Sequence, residues 1–125
     1  VGIGGLSIFI GGRIMDMNHY QRTASKTAIF PTDNSLLYLT LGLCGEAGEV
    51  AEKIKKHIRD SGSLQNTYPI HYKEALIREL GDVLWYLANL ANELNVKLDK
   101  VARLNIEKIQ KRMENNTLKG EGDDR

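Results

Sequence analysis

Leu43-Cys-Gly-Glu-Ala-Gly-Glu-Val-Ala-Glu-Lys53 decides how this chain is read. It places Glu46 and Glu49 three residues apart in a stretch with helical character. A second pair at the same spacing, Glu79 and Asp82, lies in Ala75-Leu-Ile-Arg-Glu-Leu-Gly-Asp-Val-Leu-Trp-Tyr86. Residues three apart on a helix are neighbours, so each pair makes one oxygen-rich patch. Brought face to face, the two patches form a four-carboxylate cage. Like charges at that density repel unless a cation lies between them, so the pattern asks for a metal.

Working outward, the apolar residues around each pair recur at helical spacing. Leu36, Leu39, Leu43, Ala47, Val50, Ile54 and Ile58 form one stripe, and Leu76, Leu80, Val83, Leu87, Leu90 and Leu94 form another. At about 100° per residue, Glu46 falls roughly 65° and Glu49 roughly 125° from the centre of the first stripe. Glu79 and Asp82 fall at roughly 70° and 130° from the second. The two helices thus carry the same layout. Glu46 and Glu79 stand at the edge of the core, where solvated acids are seldom placed.

Ordinary surface salt links compete with this reading. Glu49–Lys53, Glu52–Lys56, Glu74–Arg78 and Glu107–Lys111 are all acid-to-base steps of four. Glu46 and Glu79 have Val50 and Val83 at that step, so the explanation fails for them. Asp82 has Arg78 behind it as a possible partner. The oxygen-only ligand set, with no His or Cys at a matching step, favours Mg²⁺, with Mn²⁺ as the other hard cation. A di-iron bundle would need Glu-x-x-His, which is absent from both acidic segments. Carboxylate-held Mg²⁺ commonly serves phosphoryl chemistry.

The flanking signals predict an all-α chain, an antiparallel bundle of four main helices. The first helix runs from Asp16 to about Ile29, with Asp16 or Asn18 as cap and Pro31 beyond its end. The second runs from Thr32 or Asp33 to about Asp60 and stops at Gly62. The third spans Tyr72 to about Glu93, with Asn95 as a left-handed cap. The fourth spans Leu98 to about Met113, anchored by Val101, Leu104, Ile109 and Met113. Gly42, Gly45 and Gly48 weaken the second helix, which fits a close helix contact, room for a ligand, or a merely weakened helix. Residues 1–14 read as an unstructured extension, vector-derived or upstream of the domain. Residues 15–114 form the domain, and 115–125 a polar tail.

A formal net charge of +1 gives no reason to expect a nucleic-acid polymer or an acidic membrane as partner. The single cysteine, Cys44, excludes an intrachain disulfide and fits a reducing cytoplasm.

Gly42-Leu-Cys-Gly-Glu-Ala-Gly-Glu-Val-Ala-Glu-Lys-Ile-Lys-Lys56, Glu79-Leu-Gly-Asp-Val-Leu-Trp-Tyr86 and Asn105-Ile-Glu-Lys-Ile-Gln-Lys-Arg112 together resemble the MazG-like all-α nucleotide pyrophosphohydrolases. The resemblance covers about His19 to Arg112. It implies Mg²⁺-dependent hydrolysis of a nucleoside triphosphate, ribo or deoxy, to the monophosphate and pyrophosphate. It also implies a homodimer or homotetramer with sites near subunit contacts. By position, Glu46, Glu49, Glu79 and Asp82 would hold metal. Lys53, Asn105, Lys108 and Arg112 would lie near the phosphates and nucleotide, and Tyr86 near the base or sugar. Many members carry a further Glu where this chain has Gly45. Proton abstraction from the attacking water then passes to another carboxylate, Glu49 or Glu46 with Glu49 foremost, or to a hydroxide on the metal. The competing readings are a catalytically silent nucleotide-binding module and a helical interaction module.

Overall fold

The computed structural model describes residues 9–10, 13–62 and 69–123. Four helices carry the fold: α1 (Met17–Ser25), α2 (Ser35–Ser61), α3 (Ile70–Glu93) and α4 (Leu98–Glu114). Ahead of them, β1 (Phe9–Ile10) pairs antiparallel with β2 (Arg13–Ile14), Phe9 opposite Ile14. Most of the expected 1–14 extension lies outside the described residues; this small ribbon is its described part.

Each helix boundary has a local cause. Asp16 caps α1, its Oδ1 accepting the His19 backbone N–H at 2.7 Å. The helix ends at Ser25, short of the expected Ile29. There Ser25 Oγ donates to the Arg22 carbonyl and Thr27 Oγ1 to the Ala24 carbonyl. Hydroxyls that bond back to the chain in this way compete with helix propagation. A 3-10 turn over Thr32–Asn34 then leads into α2. Gly62, at φ 78°, ends α2 in the left-handed region, and Asn95, at φ 54°, does the same after α3. Around Asn95, the Val96 N–H reaches the Ala91 carbonyl and the Asn95 N–H the Asn92 carbonyl, the paired closure of a Schellman turn. Helix α3 starts at Ile70, two residues before the expected Tyr72, because Pro69 can occupy the position before a helix while its carbonyl accepts from Tyr72 and Lys73.

The long helices α2 and α3 form an antiparallel hairpin, pinned at one end by the Ser35 hydroxyl donating to Glu93. Helix α1 lies against α3. Helix α4 touches α1 and α3, and among the described residues it makes no contact with α2. The core joins Ala24 of α1, Ala88 and Ala91 of α3, and Leu98 of α4, with Tyr20, Leu84, Trp85 and Val96 packed around them. Gln21 ties this junction together. It is buried, donates through Nε2 to the Val96 carbonyl at 2.8 Å, and accepts the Leu98 N–H on Oε1 at 2.8 Å.

The apolar stripes are only half covered. Leu39 is fully buried, but Leu36, Leu37 and Leu41 on α2, Ile77, Leu80 and Leu87 on α3, Leu94 just after it, and Leu104, Ile109 and Met113 on α4 are exposed. The small residues Ala88 and Ala91 of α3 join Ala24 of α1 in the core, while Leu80 and Leu87 of the same helix are exposed. No described helix is long and apolar enough to cross a membrane.

Candidate functional site

The antiparallel α2–α3 hairpin brings the two acidic patches together. Glu46, Glu79 and Asp82 each offer a carboxylate oxygen, and these oxygens lie within 4.8 Å of one another. Glu46 and Glu79 are half-buried and Asp82 is exposed. Among the described residues this is the one group of three or more metal-ligating side chains so arranged. Glu49, one turn further along α2, stands outside that group and is exposed. It is still near enough to act on Glu46. Burial first, then Asp82, Glu49 and Glu79, raise the Glu46 carboxyl above its ordinary value.

Lys53 crosses from α2 to α3 rather than pairing with Glu49. Its Nζ lies 3.0 Å from Glu79 Oε1, with that carboxylate mostly buried. It is a built-in counter-charge at one edge of the acid cluster. Of the other surface links expected at a step of four, Glu52–Lys56 forms at 3.3 Å, and Glu52 also pairs with Lys55.

A cleft of about 390 Å³ opens beside the acids, lined by Thr27, Glu46, Asp82, Trp85 and Tyr86. Its aromatic wall is fixed from two sides. Trp85 Nε1 donates to Thr27 Oγ1 at 2.8 Å, and the Trp85 and Tyr86 rings meet edge to face with centroids 5.0 Å apart. The Tyr86 ring lies directly over Gly42: a Cβ at that position would come within 2.0 Å of it. Gly42 is therefore a close helix contact. Gly45 and Gly48 have open space where a Cβ would be. The Tyr86 hydroxyl bonds with Tyr38; burial, then Tyr38, Glu46 and Asp82, raise its pKa. Burial and Asp82 also raise Tyr20, which brings α1 to the same acids.

Tyr20, Thr27 and Tyr38 were not among the residues singled out from sequence. For Tyr38 the signal is present: Tyr38, Gly42 and Glu46 follow one another at steps of four, along one helix face. Tyr20 and Thr27 reach the site only through the packing of α1 on α3, which no local spacing encodes.

The basic residues of α4 sit elsewhere in the single chain. Asn105 is exposed. Lys108 Nζ lies 3.6 Å from Asp123, and the buried Arg112 bonds to Gly122 and Asp123. A separate polar cavity of about 340 Å³, lined by Asn18, Arg22, Asn92, Asn95, Lys97 and neighbours, contains no carboxylate and offers no comparable metal site.

Four helices thus hold an oxygen-only acid cluster beside an aromatic cleft, a donor set of the kind that suits a hard divalent cation. A model of the MazG nucleotide pyrophosphohydrolase domain matches residues 34–117, and the chain belongs to that family. The Gene 37 protein of Mycobacterium phage L5 is 42% identical over 117 residues, covering 89% of this chain and 100% of its own length. The YvdC protein of Bacillus subtilis (strain 168) is 35% identical over 74 residues, covering 58% of this chain and 70% of its own. Neither name states a substrate. No solved structure gives a significant match.

Proposed function

We propose that this protein is a Mg²⁺-dependent pyrophosphohydrolase that cuts an NTP or dNTP into the monophosphate and pyrophosphate. The convergence of Glu46, Glu79 and Asp82 from two antiparallel helices onto one point carries this reading. The donor set fits the ion, because hard carboxylate oxygens suit Mg²⁺, or Mn²⁺, and the partly open position of Asp82 leaves room for waters and phosphate oxygens. When bound, such an ion neutralises the triphosphate and acts as a Lewis acid on it.

The chain's own residues do the rest. Glu49 has no ion pair among the described residues and adjoins the cluster, so its carboxylate takes the proton from the attacking water. Glu46, with its raised proton affinity, is the second candidate for that role. The water oxygen bonds to the α-phosphorus, the bond from that phosphorus to the bridging oxygen breaks, and pyrophosphate leaves with the electron pair. Lys53 supplies positive charge beside the phosphates. Tyr86, held over Gly42, flanks the base or sugar at the mouth of the cleft. Lys108, Arg112 and Asn105 contribute from α4.

The uncovered leucines of α2 and α3 support a homo-oligomer, and with α4 apart from α2 within one chain, a second copy is the natural source of α4 groups at the acids. Glu79→Gln tests the reading. Turnover should fall at least 100-fold while the helical content stays unchanged. Full activity in that variant would remove the metal-site argument. A catalytically silent nucleotide binder is the second reading, favoured by Gly45: a Cβ there meets nothing within 4 Å, so packing does not forbid the missing Glu. Under that reading the unaltered protein binds Mg²⁺ and nucleotide without turnover.

A further inference from the structure

We propose that the C-terminal segment is an internal competitor for the nucleotide's phosphates, with the Asp123 carboxylate occupying the Lys108–Arg112 pair until substrate displaces it. This rests on the reading above that Lys108 and Arg112 face phosphate. Three observations carry it.

First, the pair is already loaded with an anion. Asp123 Oδ1 lies 3.6 Å from Lys108 Nζ and 3.3 Å from an Arg112 terminal nitrogen, which also donates to the Asp123 carbonyl at 3.0 Å and the Gly122 carbonyl at 3.2 Å. Second, the occupant is weakly held. The Asp123 side chain is 87% exposed, and exposed ion pairs contribute little and are screened by salt. Third, the occupant leaves part of the site unused. The bonds from Arg112 to the Gly122 carbonyl and to Asp123 come from one terminal nitrogen, while its Nε, buried in this arrangement, has no acceptor. A phosphoryl group, with more oxygens and more charge than a carboxylate, can engage a guanidinium through two nitrogens at once. Asp123 is therefore the poorer ligand of the two. Asn116, at φ 56°, turns the chain after α4, and Thr117 N–H bonds to the Arg112 carbonyl at 2.7 Å, so the segment folds back along the helix that carries the pair.

The test compares Asp123→Asn with Lys108→Ala, alone and combined. It measures the dissociation constant of a non-hydrolysable nucleoside triphosphate analogue with Mg²⁺, at low and high salt. The full chain is used throughout, with thermal unfolding as a check on folding. Asp123→Asn should tighten binding about two- to fivefold at low salt, the range set by one exposed ion pair, and the gain should shrink as salt rises. In the Lys108→Ala background the gain should fall or vanish, and Lys108→Ala alone should weaken binding. If Lys108→Ala weakens binding but Asp123→Asn leaves it unchanged or weaker, the competitor role is wrong and the phosphate role of α4 stands. If Lys108→Ala has no effect, the phosphate role itself fails and this inference falls with it. Removal of residues 120–125 is the second variant. It should reproduce the Asp123→Asn gain, and weaker binding in a folded truncated chain would make the segment a structural strap only.

Discussion

Glu46 is the residue on which the electrostatics of the site converge. Partial burial and three neighbouring carboxylates make its charged form unfavourable in the folded chain, so its folded pKa lies above its unfolded one. The folded state then holds the proton more tightly, and stability from this group declines as pH rises through the window between the two values. In metal-free buffer at neutral pH, Glu46→Gln should therefore melt higher than the unaltered protein. The difference should vanish below the ordinary carboxylate range, where both are neutral. A lower melting temperature for Glu46→Gln at neutral pH would show that the acids are held by favourable contacts instead. The exposed acids Glu52, Asp60 and Asp123 run the other way: each is lowered first by its basic neighbours, Lys55, Arg59 and Lys108 respectively. Their contribution is lost as pH falls, which is why the comparison must be made against the variant. The glycines of α2 give a second residue-scale prediction. Gly45→Ala and Gly48→Ala should each stabilise by up to about 1 kcal/mol, since helix propensity improves and the space is open. Gly42→Ala should destabilise by about 1–3 kcal/mol despite the same propensity gain, because the new methyl strikes the Tyr86 ring. It should also weaken nucleotide binding, and denaturant unfolding of the three variants separates these cases.

At the scale of the elements, the four helices were legible because their apolar spacing, caps and stops agreed. Asp16, Gly62 and Asn95 act where sequence reasoning placed them. The end of α1 was not legible, because the back-bonding hydroxyls of Ser25 and Thr27 win over an otherwise helical pattern. The acidic pairs were legible at the level of which helix face they occupy. That Glu46, Glu79 and Asp82 form a tight group while Glu49 stands aside depends on the register of α2 against α3, which spacing along one helix does not set. The same limit applies to Lys53, whose choice of Glu79 over Glu49 is made across the hairpin. Gln21 is the clearest element-scale residue that periodicity missed. Its amide satisfies both the Val96 carbonyl and the Leu98 N–H where α1 meets the α3–α4 turn. Gln21→Leu should cost about 1–3 kcal/mol, since it leaves buried backbone groups without partners. Thermal unfolding would show it, and a change near zero would mean water replaces the side chain.

At the scale of the whole molecule, large apolar side chains remain exposed on α2, α3 and α4, and the proposed homo-oligomer would cover part of them. Replacing Leu80 and Leu87 together with Asp should convert an oligomer to monomers in analytical ultracentrifugation and lower turnover with it. An unchanged sedimentation coefficient would place the interface elsewhere. Family membership fixes the scaffold, and the proposed chemistry is defined by where water enters the triphosphate. Hydrolysis with Mg²⁺ in ¹⁸O-labelled water, across a panel of NTPs and dNTPs and followed by ³¹P NMR and mass spectrometry, reads that point directly. The proposed function predicts monophosphate and pyrophosphate, with the label on the monophosphate. Diphosphate and inorganic phosphate, or the label on pyrophosphate, would contradict attack at the α-phosphorus, and no turnover beside tight Mg²⁺-dependent binding would make this a nucleotide-binding protein.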